Sequence, residues 1–131
     1  MFNKKARLLI VDDMPTVCTV VAEIFEQVGF SNTSTVHTAA EAWNIISTAQ
    51  PPVDILISDW DMPQGTGFDL LKRIRADSKV KDLPLLMMAL EAEKDQVFAL
   101  DAAPYTQTIL KPFSTIILNE KLESLYNKVF S

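Results

Sequence analysis

The sequence has one cysteine, one histidine and no long apolar run, and each scarcity removes a class of protein. Cys18 has no partner for an internal disulfide, and with His37 as the only histidine there is no Cys/His set with zinc-ligand spacing. A reducing cytosol is the expected home. Met1 to Arg7 carries charge without the apolar core of a secretory signal after it, and no apolar stretch approaches the ~20 residues that a membrane-spanning helix needs. A cytoplasmic protein without a membrane partner is therefore expected. Cations are the minority, 12 Lys and Arg against 17 Asp and Glu, so unaided nucleic-acid binding, which needs a basic face, is not expected. An acidic balance suits a cation or a basic partner. Low-complexity tracts, repeats and linkers are missing as well, and 131 residues suffice for one core, so residues 1–131 read as a single domain.

What is present is a series of short apolar runs separated by helical patterns. Leu8 to Val11 has the composition of a strand buried on both faces. Pro15 suits a first helical turn, and Val17, Cys18, Val21, Ile24, Phe25 and Val28 follow at helical spacing with Gly29 as terminator. Cys18 on that stripe reads as a small buried hydrophobe. Asn32 to Val36 reads as a short, more polar strand near a sheet edge, and Thr38 with Glu41 opens a second helix carrying Ala42, Trp43 and Ile46 on one face. His37, just before that cap, reads as a solvated strand-end histidine. Ile55 onward is a third strand closed off by Pro63, Gly65 and Gly67. A helix through Phe68, Leu71 and Ile74 follows, then a strand over Leu85 to Met88. Glu91 to Asp101 predicts a fourth helix with a thin apolar face. Thr108 to Leu110 lies in the fifth strand, and Ser114 caps a last helix with a long apolar stripe. Five strands alternating with five helices predict an α/β fold with a doubly wound parallel sheet, of the flavodoxin-like strand order 2-1-3-4-5.

Three of those strands end in charge: Leu8 to Val11 in Asp12 and Asp13, the third strand in Asp59, and the fifth in Lys111. Singly, each has a plain structural role, as a capping or loop carboxylate, an acid pair against a helix dipole, or a surface cation. In the order 2-1-3-4-5 the first and third strands are neighbours, and ligands bind at the carboxyl edge of such sheets. Converging there, the three carboxylates repel one another and attract a hard divalent cation with oxygen ligands, for which Mg2+ fits best. A metal beside a lysine can neutralise a phosphoryl group, and a carboxylate can serve as its nucleophile, so the set reads as acceptance of a phosphoryl group on Asp59.

With its acid pair in LLIVDDMPT, Asp59 in ILISDWDMPQGTGFDLL and Lys111 in ILKPF, the chain resembles the response regulator receiver domains of two-component signalling over nearly its whole length, and within them the stand-alone chemotaxis regulators. The resemblance implies a phosphorelay switch that takes a phosphoryl group from a histidine kinase or phosphotransfer protein. Asp59 would be the acceptor and Lys111 the phosphoryl-binding lysine, followed by a cis peptide to Pro112. Mg2+ would be held by Asp12, Asp13 and Asp59 with the backbone carbonyl of Asp61. It also implies output, self-association included, through the face of the fourth helix, fifth strand and fifth helix, here carrying Glu91, Lys94, Asp95, Thr108 and Lys111.

Two positions depart from the receiver pattern. Ala89 stands where a serine or threonine is usual at the end of the fourth strand, and Thr108 where the fifth strand usually carries a switch aromatic. A receiver-like binding module that signals without phosphate is therefore the alternative to a phosphoacceptor. A third reading is an enzyme, since Asp59-Trp60-Asp61 also resembles the nucleophile motif of haloacid-dehalogenase-type phosphatases. Pro63 stands where that family has threonine, and the pair Asp12-Asp13 would have no role.

Overall fold

The computed structural model describes residues 1–63 and 65–130; Gln64 and Ser131 lie outside the described residues. Strands β1 (Leu8–Val11), β2 (Thr33–Val36), β3 (Ile55–Asp59), β4 (Leu85–Leu90) and β5 (Thr106–Lys111) form one parallel sheet in the order β2-β1-β3-β4-β5. Helices α1 (Pro15–Gln27), α2 (Ala39–Thr48), α3 (Gly67–Arg75), α4 (Lys94–Val97) and α5 (Thr115–Phe130) follow the strands in turn. The expected flavodoxin-like α/β architecture is the one observed.

The central strands are continuous apolar runs because both faces of the sheet are covered. Successive side chains alternate between faces, so Leu8 and Ile10 pack with Phe25 of α1 and with Leu118 and Leu122 of α5. Leu9 and Val11 pack on the opposite side with Ala42 and Ile46 of α2 and Leu70 and Ile74 of α3. Met87 and Met88 divide between the two cores and are both fully buried. β2 is the more polar edge strand, as its sequence predicts. Pro15 starts α1 at its first turn, and Gly29, at φ 104°, ends it with its N–H on Glu26 O. Thr38 accepts the Glu41 N–H at the start of α2, and Ser114 accepts the Ile117 N–H at the start of α5.

The stretch after β4 differs from the continuous helix predicted there. Residues Glu91–Glu93 form a 3-10 turn, α4 is a single α-helical turn, and Phe98–Ala102 return to 3-10 geometry. The reason is the thin apolar face: of this stretch only Val97 is fully buried, which leaves too little packing to hold a longer helix. The stretch is instead fixed by one carboxylate. Asp101 Oδ1 accepts hydrogen bonds from Thr108 N and Thr108 Oγ1, both at 2.8 Å, and from Gln107 Nε2 at 3.1 Å. Lys128 of α5 donates to the carbonyls of Asp101 and Thr106.

Candidate functional site

The site is assembled by strand ends. β1 and β3 are hydrogen-bonded neighbours with Val11 opposite Ser58, so Asp12, one residue past β1, and Asp59, the last residue of β3, leave the sheet side by side. Asp12, Asp13 and Asp59 each offer a carboxylate oxygen within 4.8 Å of the others. Asp12 and Asp59 are buried and Asp13 is the most open of the three. Lys111, at the end of β5, reaches past the intervening β4, and its Nζ donates to Asp59 Oδ1 at 2.9 Å and to Asp12 Oδ2 at 3.1 Å. The peptide from Lys111 to Pro112 is cis, as the resemblance implies.

Local backbone contacts hold these groups in place. Met14 N–H donates to Asp12 Oδ1 at 3.0 Å, tying the acid to the turn that enters α1. His37, at the end of β2, is half-buried rather than solvated, and its Nδ1 lies 3.0 Å from the Asp12 carbonyl, which makes Nδ1 the donor. On the other side Gly67 opens α3 by donating its N–H to Trp60 O at 2.9 Å. A Cβ at this position would overlap the Asp59 carbonyl oxygen and press on Met87 Sδ, so the glycine serves a close approach and not, as its place among turn formers predicts, a turn conformation.

Burial is the largest influence on Asp59 and pushes its carboxyl up from 3.8 to about 6. The hydrogen bond and charge of Lys111 oppose that rise, and the charges of Asp12 and Glu93 add to it. Burial pulls the Lys111 ammonium down, but the contacts with Asp59 and Asp12 outweigh it and hold the group above its ordinary value. Cys18, beneath the site, is buried, and its thiol is pushed up to about 11, chiefly by burial; it is an inert core residue as its place on the α1 stripe predicts.

Above the acids a cavity of about 500 Å3 opens. Among the described residues five acids line it, Asp12, Asp13, Asp59, Asp61 and Glu93, against one cation, Lys111. Its other wall is apolar, built by Val17, Val20, Val21 and Ile24 of α1 and by Pro112 and Phe113. All the acids expected at the site therefore meet there, Asp61 as an exposed residue of its rim. Among the described residues the cluster that could hold an ion is three close carboxylates with no cysteine or histidine in it, a set that suits a hard divalent cation. Glu93 was not predicted. It arrives because the turn after β4 curls back, and Leu90 N–H donates to Glu93 Oε1 at 2.8 Å; a Leu-Glu-Ala-Glu stretch carries no capping signal that could have announced this.

Ala89 is fully buried at the end of β4, where it brings no polar atom to the site. Thr108 is buried on β5 with its hydroxyl turned to Asp101, and Lys111 points into the acidic site, so neither is the surface group expected on the output face. Phe98, Ile116 and Ile117 are large apolar residues exposed there.

Residues 8–123 match the sequence profile of the response regulator receiver domain. The chain belongs to the response regulator receiver domain family. This receiver is 35% identical to the chemotaxis protein CheY of Pseudomonas aeruginosa over 123 residues, covering 94% of this chain and 98% of that one. It is also 35% identical to CheY-3 of Vibrio cholerae over 129 residues, covering 98% of each. Among solved structures it superposes on the chemotaxis response regulator CheY4 of Vibrio cholerae with a TM-score of 0.76 at 28% identity, covering 92% of this chain and 98% of the other. The family shown is that of receiver domains and not that of haloacid-dehalogenase-type phosphatases. Among the described residues no helix is long and apolar enough to cross a membrane.

Proposed function

We propose that this receiver acts as one domain over residues 1–131, in the cytoplasm, as the phosphoacceptor of a two-component phosphorelay, and that Asp59 takes the phosphoryl group. The observation that carries the reading is the two-point hold of Lys111 on Asp59 and Asp12 at the foot of an acidic cavity. Lys111 occupies Asp59 Oδ1, and among the described residues no hydrogen bond engages Oδ2, which leaves that atom to attack. With its carboxyl at about 6, Asp59 is mostly ionised at neutral pH.

The donor is a phosphohistidine of a histidine kinase or phosphotransfer protein. Asp59 Oδ2 forms a bond to phosphorus as the P–N bond breaks, the electron pair returns to the imidazole nitrogen, and that nitrogen takes up a proton. Lys111 shifts from the carboxylates to a phosphoryl oxygen as a point charge. Asp12, Asp13 and Asp59, with the backbone carbonyl of Asp61, would hold Mg2+, which when bound neutralises and polarises the phosphoryl oxygens. The apolar wall, with Met14, Val20 and Leu90 more than half exposed around it, gives the donor protein a surface to settle on beside the acceptor. A downstream protein, or a second copy in a weak dimer, docks on the face of α4, β5 and α5.

Incubation with acetyl phosphate and Mg2+ followed by intact-mass spectrometry should show one phosphoryl adduct, absent in Asp59→Asn and slowed in Asp13→Asn through weaker metal binding. Equal phosphorylation of Asp59→Asn and the unsubstituted chain would overturn the assignment. The second reading, a docking module that signals without phosphate, is favoured by the apolar Ala89 and by Thr108 locked on Asp101. An unsubstituted chain that forms no adduct while still binding its partner would establish it.

A further inference from the structure

Among the described residues Glu93 is the one charged group that the β4 side contributes to the cavity, and a hydrogen bond holds it. Leu90, whose N–H donates to Glu93 Oε1 at 2.8 Å, is paired in register with Lys111 across β4 and β5. The carboxylate is therefore anchored beside the strand position that delivers the site's cation. Nothing neutralises it: among the described residues no cation pairs with Glu93, and the next residue, Lys94, turns to Glu91 at 2.7 Å. Ala89, buried at the end of β4, has no side-chain polar atom to offer a partner. Glu93 also lines the same cavity as Asp12, Asp13, Asp59 and Asp61 and contributes to the upward push on the Asp59 carboxyl.

Resting on the function proposed above, we propose that Glu93 is a positioning residue of the acidic site: its carboxylate, held by the Leu90 N–H, strengthens the site's hold on Mg2+ and opposes the arrival of an anionic phosphoryl donor. The two effects follow from one charge acting on ligands of opposite sign. Where receivers usually place a hydroxyl that attracts the phosphoryl group, this chain places nothing at Ala89 and a repelling charge four residues on. Donors whose phosphoryl group is screened by a cationic neighbour are favoured over free anionic phosphoryl compounds. The site would select for a protein donor.

Glu93→Gln is the discriminating variant, because the glutamine Oε1 still accepts the Leu90 N–H while the charge is gone. In calorimetric titration of the full chain with Mg2+ at low ionic strength, Glu93→Gln should bind about three- to tenfold more weakly, with the gap closing as salt screens the field. At saturating Mg2+, acetyl phosphate should modify Glu93→Gln several-fold faster than the unsubstituted chain. A residue that only caps the turn would move neither rate nor affinity, and certainly not in opposite directions. Equal Mg2+ affinity in the two chains, or no Mg2+ binding by either, overturns the assignment of Glu93 whether or not Asp59 is modified. If Mg2+ binding weakens as expected but neither chain forms an acyl phosphate, the proposed phosphoacceptor function fails while the hold of Glu93 on the cation stands.

Discussion

Replacing Asp59 with asparagine should make the metal-free protein more stable. The carboxyl of Asp59 is raised from 3.8 to about 6, so between those values the native state binds more protons than the unfolded chain and stability falls as pH rises. The favourable contribution of the protonated group is fully present below 3.8 and is lost as pH passes through about 6, above which the native state bears the whole cost of an ionised Asp59. Each pKa unit corresponds to ~1.36 kcal/mol, which makes that cost about 2 to 3 kcal/mol, borne by a buried group with Asp12 beside it. Asparagine keeps an acceptor for Lys111 Nζ and removes the charge. Urea unfolding with EDTA present should therefore show Asp59→Asn more stable by about 2 to 3 kcal/mol at pH 8 and by about half that at pH 5, where the parent group is already largely protonated. Mg2+ should narrow the gap at pH 8, because ligand binding to the native state stabilises the chain that binds it better. A variant no more stable than its parent at pH 8, or a gain that stays constant down to pH 5, would refute the reasoning.

Other consequences are open to direct measurement. Gly67→Ala drives a Cβ into the Asp59 carbonyl and should cost at least about 2 kcal/mol in urea unfolding and weaken Mg2+ binding; an unchanged midpoint would mean α3 can shift freely. Asp101→Ala strips three donors of their acceptor, one of them the buried Thr108 N–H, and should cost about 2 to 4 kcal/mol in the same assay. Beryllofluoride with Mg2+ should produce small amide shifts in the region of α4 to α5 of the unsubstituted chain and larger ones in Ala89→Thr, since a hydrogen bond to a charged group is worth roughly 1.5–3 kcal/mol. Large distant shifts in the parent, no greater in Ala89→Thr, would show that Ala89 does not limit the coupling.

The parts legible in the sequence were those governed by position along a strand. A strand buried on both faces reads as an unbroken apolar run, so Leu8–Val11 and Ile55–Asp59 announced themselves, and with them the acids at their ends. Lys111 was legible for the same reason. The stretch from Glu91 to Ala102 was not, because its conformation is decided by long-range partners: Asp101 meets Thr108 across seven residues, and Lys128 reaches it from α5. Glu93 enters the site through a backbone N–H that no side-chain pattern encodes. His37 contacts Asp12 only because β2 lies beside β1, and Gly67 shows its purpose only once Met87 and the Asp59 carbonyl surround it. Thr108 reads as a missing aromatic in sequence and as a buried hydrogen-bonding residue in structure.

The Asp101 carboxylate has a mechanical meaning beyond its stability. By gripping Thr108 and Gln107 while Lys128 pins its own backbone, it rivets the stretch after α4, the strand β5 and the last turns of α5 into one plate. Among the described residues the rivet shares no hydrogen bond with Asp12, Asp59 or Lys111, so charge arriving at Asp59 does not act on it through a direct contact. A partner docking on the face proposed above would meet these three elements as one joined surface. Amides in this plate should then exchange with solvent as one unit, opening together or not at all.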